Sequence, residues 1–240
     1  MKHRDVGYWE DLARREPYFP VRRTDGRFAT EGTAQPSEEF FATGEVDVSA
    51  LLAALHSLLH RDISLGFVLD FGCGVGRLTL PLARRAKRVV ACDVAPTMLD
   101  HARANAERAG LTEIEFVQDC EELTGSSFDF ICSLCVFEHV PAVEGYPLIR
   151  RLASLLAPGG IAAIQIPLRS PARRVTARRQ PAASSSLQVA DVSIIGDIRT
   201  NVYNDRRVFQ SLTAVGARSI ARLSINGGVT DDAVLIFERP

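Results

Sequence analysis

Charge of one sign is what this sequence most lacks: its 28 Lys and Arg stand against 29 Asp and Glu, for a formal net charge of −1. No general pull toward nucleic acid or an anionic membrane follows from that balance. Cysteines are few and odd in number (Cys73, Cys92, Cys120, Cys132 and Cys135), so no disulfide framework is suggested. Cys132 and Cys135 have the spacing of a redox or zinc pair, but no second pair or histidine cluster accompanies them, and no metal site is expected. Long apolar runs are missing as well. The stretch around 51–59 is broken by His56 and is too short for a bilayer. The opening residues Met1-Lys2-His3-Arg4-Asp5 lack the apolar core of a secretory leader. A cytoplasmic protein without membrane association is therefore expected.

What is present is an alternation of apolar strands with helical patterns, the mark of βαβ units and a parallel sheet. Phe67-Val68-Leu69-Asp70-Phe71 reads as a first strand and Val89-Val90-Ala91-Cys92 as a second. Ile114-Glu115-Phe116-Val117 reads as a third, residues 128–133 as a fourth and 161–166 as a fifth. Helical spacing covers 77–85, 96–109 (with Pro96 in the first turn) and 143–157, the last expected to stop at Pro158-Gly159-Gly160. A helix over 205–214 and strands over 217–225 and 233–238, joined by Asn226-Gly227-Gly228, complete the pattern. The sum is a doubly wound α/β core over 65–240. Residues 1–64 read as a helical cap, with 48–59 its clearest amphipathic piece. Residues 169–200, arginine-rich and then serine-rich, read as a mobile insertion.

The chemistry concentrates at the strand tips. Asp70-Phe71-Gly72-Cys73-Gly74-Val75-Gly76 is a glycine-rich turn between a strand and a helix, where a ligand can approach the backbone closely. Dinucleotide sites use G-x-G-x-x-G and rest a pyrophosphate on the helix N-terminus. Here the spacing is G-x-G-x-G, and Asp70 stands where it would repel a pyrophosphate. An acid suits a cationic ligand instead, and S-adenosylmethionine carries an ammonium and a sulfonium but no phosphate. Asp93, directly after the second strand, can accept both hydroxyls of a ribose. Asp119, after the third, can meet an adenine edge. For each of these acids a plain solvated turn is the alternative.

Taken in order, Asp70-x-Gly72-x-Gly74-x-Gly76, Asp93, Asp119, the Phe128-Asp129-Phe130-Ile131 strand, Glu138-His139-Val140 and Leu156-Ala157-Pro158-Gly159-Gly160 resemble the successive motifs of class I S-adenosylmethionine-dependent methyltransferases. The resemblance implies a seven-stranded sheet of order 3-2-1-4-5-7-6 with the seventh strand antiparallel and helices on both faces. It implies that Asp70, Gly72 and Gly74 hold the methionine end of the cofactor and that Asp93 binds the ribose. Val94 and Met98 would pack beside the adenine, Asp119 and Cys120 would meet its edge, and Ser133 and Leu134 would line the methionine moiety. A looser resemblance, to bacterial small-molecule methyltransferases with a Trp-containing helix and a Phe-Phe-x-x-Gly segment (here Phe40-Phe41-Ala42-Thr43-Gly44), implies that residues 1–64 form a lid. Tyr8, Trp9, Tyr18 and Tyr203 are then candidate walls of the acceptor site.

Methyl transfer is an in-line displacement, so the protein mainly aligns a nucleophile and removes its proton where it has one. His139 is the candidate base, with Glu138 the other option. No Asn-Pro-Pro-Tyr follows the fourth strand and no Pro-Cys nucleophile is present, which disfavours methylation of nucleic-acid bases. Transfer to O or N of a small metabolite is the leading expectation. An NAD-dependent oxidoreductase and a non-catalytic S-adenosylmethionine-binding protein are the alternatives. Arginines over 169–179 would serve a phosphorylated or carboxylated small molecule.

Overall fold

The computed structural model describes residues 3–18, 38–168, 201–224 and 231–240. The expected mobile insertion at 169–200 and the Asn226-Gly227-Gly228 turn lie outside them. Seven strands form one sheet of order β3-β2-β1-β4-β5-β7-β6. They are β1 (Phe67–Phe71), β2 (Arg88–Cys92), β3 (Ile114–Val117), β4 (Phe128–Ser133), β5 (Leu156–Leu168), β6 (Arg218–Ser224) and β7 (Asp231–Glu238). All neighbours pair in parallel except β7, which runs antiparallel to both β5 and β6. The central strands are apolar without alternation because both faces are covered.

Successive side chains supply two different helical layers. Val68, Val89, Phe130 and Cys132 pack with Val48, Leu51 and Leu55 of α2 (Glu38–Leu59) and with Leu82 of α3 (Thr79–Ala83). On the opposite face Leu69, Val90 and Ile131 pack with Ile149 and Leu152 of α5 (Ala142–Ser154) and with Val208 and Leu212 of α6 (Asp205–Thr213). By length and composition α2 could cross a membrane, yet Phe40, Gly44, Val48, Leu51 and Leu55 are buried in this fold. Helix α2, on the cap side of the expected division at residue 64, shares a hydrophobic cluster with the sheet. Helix α1 (His3–Arg15) contacts α4 (Pro96–Arg108). Glu10 of α1 accepts hydrogen bonds from the Thr97 amide (3.1 Å) and hydroxyl (2.5 Å). It thus serves free amides at the start of α4, whose own N-cap is Ala95.

Two boundaries differ from expectation for physical reasons. Helix α5 ends at Ser154 rather than 157, because the Leu155 carbonyl accepts the Phe128 amide at 2.8 Å and Leu156 already pairs with Phe128. Pro158-Gly159-Gly160 therefore does not stop a helix. It sits within β5 as an irregularity between the Phe128↔Leu156 and Phe130↔Ile161 pairs. Helix α3 is short because the residues before it are held in a turn. There Arg77, 4% exposed, pairs with Asp47 of α2 at 2.5 Å.

Behind the sheet tips, Tyr203 ties three elements together. Its amide donates to the Pro167 carbonyl (2.8 Å), its hydroxyl donates to the Val140 carbonyl (2.7 Å), and its ring meets Tyr146 of α5 edge-on at 5.5 Å. Only glycine at 145 lets the ring lie this close, since a Cβ there would fall inside it. Gly145→Ala is expected to cost about 2–3 kcal/mol of stability through overpacking and loss of the Tyr203 bond, measured by urea denaturation. An unchanged midpoint and slope would show that this contact does not hold α5 to β5.

Candidate functional site

A cavity of about 930 Å³ opens at the carboxyl ends of β1, β2, β3 and β4, where open α/β sheets place their ligands. Its floor is the glycine turn. The Gly72 amide donates to the Cys92 carbonyl (2.7 Å), which draws the turn over the tip of β2. Gly72 has φ +75°, and a Cβ on it would strike the Val136 side chain. Both the backbone conformation and the close approach require glycine there.

Asp93 lies in the cavity wall and acts on its own chain first. One carboxylate oxygen accepts the Gly74 amide at 2.8 Å, and the other accepts the Ala95 amide at 3.0 Å. A single side chain thus ties the glycine turn to the start of α4. Burial pushes its carboxyl above the usual range, against these backbone hydrogen bonds. Val94 and Met98 line the same wall. Asp119 caps the 3-10 turn Cys120–Leu123, accepting the Glu121 amide at 2.9 Å while Glu122 reaches back to the Asp119 amide at 3.3 Å. Arg151 of α5 donates to the Cys120 carbonyl at 3.0 Å and anchors this edge. Asp119, Cys120 and Leu134 all line the cavity.

Asp70 corrects the expectation of a direct contact with the cofactor. It is 1% exposed, does not line the cavity, and accepts the Thr79 hydroxyl at 2.6 Å. It lies beneath the glycine turn. Burial pushes its carboxyl up to about 6, although the Thr79 hydrogen bond and the Arg77 charge pull the other way. Ser133 is likewise fully buried outside the cavity wall, with a hydroxyl that finds no hydrogen-bond partner. Three tyrosines are also displaced from their expected role. Tyr203 is fully buried as described, and Tyr18 packs against Phe40 with its hydroxyl toward Asn105. Tyr8 does not line the cavity; its ring stands edge-on to Trp9 at 5.4 Å.

His139 and Trp9 are brought together at the outer end. Trp9 meets the imidazole edge-on, with ring centroids 4.9 Å apart, and both line the cavity. His139 Nε2 lies 3.1 Å from the Glu138 carboxylate, while Nδ1 is buried without a hydrogen-bond partner. The turn that carries them is braced from behind, where the Asn201 amide donates to the Glu138 carbonyl at 2.8 Å. Sequence reasoning missed Val136, Glu144 and Cys135, all of which line this cavity. Glu144 reads as an ordinary first-turn acid of a helix. Cys135, at φ +60°, carries a backbone conformation that no spacing announces.

Four carboxylates (Asp93, Asp119, Glu122 and Glu144) line the cavity, and among the described residues neither Lys nor Arg does. A diphosphate would meet only repulsion from these side chains. A ligand with cationic groups and a ribose fits the donor set.

Comparison with known proteins agrees with this geometry. Residues 68–160 match a family described as a methyltransferase domain. Over 96 residues, 39% of this chain, the sequence is 41% identical to a ubiquinone biosynthesis O-methyltransferase of Methylocella silvestris; the match spans 37% of that relative's length. Among solved structures, magnesium protoporphyrin IX methyltransferase from Synechocystis with bound S-adenosylhomocysteine superposes with a TM-score of 0.65 at 19% identity, covering 98% of this chain and 99% of that one. The N-methyltransferase NodS from Bradyrhizobium japonicum, also with S-adenosylhomocysteine, gives 0.59 at 20% identity and covers 98% of each chain. At these identities the two structures establish a shared fold.

The Asp70 environment sets a pH dependence. A carboxyl of ordinary pKa 3.8 raised to about 6 by folding contributes stability below pH ~3.8 that is lost as pH rises through about 6. The full swing is on the order of 3 kcal/mol. Asp70→Asn keeps an acceptor for Thr79 and removes the titration. The difference in unfolding free energy between variant and parent should therefore shift in favour of the variant from pH 4 to pH 7. A pH-independent difference in urea titrations would show that Asp70 titrates alike in both states.

Proposed function

We propose that the chain transfers a methyl group from S-adenosylmethionine to an oxygen or nitrogen of a small metabolite, a reading supported by the match of residues 68–160 to a methyltransferase domain family and by the seven-stranded sheet. The observation that carries this reading is that Asp93, Asp119, Glu122 and Glu144 line the cavity and, among the described residues, no Lys or Arg does. It opposes a dinucleotide and favours a nucleoside with a cationic side chain. Asp93 would accept the ribose hydroxyls with the lone pairs its backbone contacts leave free. Val94 and Met98 would flank the adenine, with Asp119 and Cys120 at its edge. Gly72 and Gly74 would give the methionine end access to backbone, and Asp70 would supply negative potential from beneath.

When bound, S-adenosylmethionine supplies a methyl group already activated by its sulfonium. His139 serves as the base. The Glu138 carboxylate lies 3.1 Å from Nε2 and would orient the ring for that role. Helix α1 covers this end through Trp9 and limits the entry of water. A cytoplasmic protein acting on a small molecule, without nucleic acid, belongs to the same proposal.

Thermal unfolding with each ligand separates the cofactors. S-adenosylhomocysteine should raise the melting temperature and NAD should leave it unchanged; stabilisation by NAD alone would replace this reading with an oxidoreductase. Asp93→Ala should weaken S-adenosylhomocysteine by about 1–3 kcal/mol in calorimetry, and unchanged affinity would remove Asp93 from the site. His139→Ala should retain that affinity and slow methyl transfer by about 10²–10⁴-fold. Equal rates in parent and variant would assign the proton elsewhere.

A further inference from the structure

The first turn of α4 leaves one amide for α1 to take. Ala95 stands at the N-cap, where its methyl side chain can accept no hydrogen bond. Its own amide goes to Asp93 at 3.0 Å. Pro96 has no N–H, and the Met98 and Leu99 amides both reach the Ala95 carbonyl, at 3.0 and 3.2 Å. The Thr97 amide remains. Glu10 of α1 accepts it at 3.1 Å, together with the Thr97 hydroxyl at 2.5 Å. Burial raises the Glu10 carboxyl, but the Thr97 hydrogen bonds and the Arg14 charge outweigh it and hold the group below the usual carboxylate value. Glu10 is therefore ionised, and both bonds to Thr97 are charge-assisted. The apolar seat of α1 is shallow by comparison. Among its described side chains only Ala13 is buried, in a small cluster with Ala95 and Met98 against which Trp9 packs. An element with so few buried apolar groups opens more readily than the sheet it rests on. Val6, Trp9 and Glu10 fall at helical spacing on one face of α1, and the first two line the cavity.

We propose that Glu10 is a positioning residue of the cofactor site: its grip on Thr97 holds Val6 and Trp9 over the cavity, and S-adenosylmethionine enters and leaves when that grip opens. The inference rests on the methyltransferase reading of the same cavity and deepens it. Asp93 and Glu10 hold the Ala95 and Thr97 amides of a single turn. A cofactor bound at Asp93 steadies the turn to which α1 is fastened. Occupancy and closure then favour each other, by the reciprocity of linked equilibria.

Surface plasmon resonance on the immobilised full chain, with S-adenosylhomocysteine as the probe, gives both exchange rates. Glu10→Ala should raise association and dissociation alike by about 10-fold, the factor that ~1.4 kcal/mol of lost hydrogen bonding to a charged group makes. Thr97→Val keeps the amide and loses the hydroxyl, so its rates should fall between those of the parent and Glu10→Ala. Arg14→Ala removes an exposed ion pair and leaves both Thr97 bonds in place, and its rates should match the parent. In the ligand-free protein, acrylamide should quench Trp9, the chain's single tryptophan, more strongly in Glu10→Ala than in the parent. A cap that served only the stability of α4 would lower the urea midpoint and speed dissociation without speeding association. That pattern, unchanged rates in both Glu10→Ala and Thr97→Val, or unchanged quenching of Trp9 would each overturn the proposal. A parent chain that fails to bind S-adenosylhomocysteine would instead strike the cofactor reading, and this inference would fall with it.

Discussion

The site depends on one carboxylate spanning two backbone segments. Asp93, at the tip of β2, accepts the Gly74 amide with one oxygen and the Ala95 amide with the other. Without it the glycine turn and the start of α4 would be held together only by contacts farther from the cavity. Both amides sit where the chain leaves regular structure, so each needs a partner that neither sheet nor helix provides. The residue that shapes the turn also lines the cavity.

A second acid works at a different depth. Asp70 is buried under the turn with Thr79, and Arg77 beside it pairs with Asp47 of α2. This small ionic network joins β1, the glycine turn and α2, and it explains why α2 belongs to the core. The charge of Asp70 reaches the cavity as potential rather than as contact. Burial raises its pKa, against the Thr79 hydrogen bond and the Arg77 charge. The acidic character of the cavity therefore has two layers, one in the wall and one below it.

At the opposite end the imidazole of His139 is sandwiched between support and cover. The Glu138-His139 turn is braced from behind by Asn201 and Tyr203, and Trp9 of α1 lies against the ring in front. The brace is anchored by a tyrosine that needs Gly145 on α5 to reach its place. Since α1 is tied to α4 through Glu10 and Thr97, cover and cofactor wall are mechanically linked.

The resemblance carried by the sequence motifs implied the strand order and the antiparallel seventh strand, and the residues themselves placed acids at the tips of β1, β2 and β3. Apolar periodicity and glycine spacing encode local backbone states, and the motifs follow one another in a fixed order along the chain. Of the residues that the resemblance assigned to the cofactor, Gly72, Gly74, Asp93, Val94, Met98, Asp119, Cys120 and Leu134 line one cavity together with Trp9 and His139. What only the tertiary structure decided is the direction in which each side chain is spent. Asp70 and Asp93 both follow apolar strand residues, yet one turns under the sheet tip and the other into the cavity. Tyr203 and Ser133, read as walls, are buried behind them, while Glu144 and Val136 enter the wall unannounced. Their placement is set by pairing between segments far apart in the chain, such as Val136 against Gly72 and Tyr203 against Gly145, and such pairings leave no trace in local periodicity.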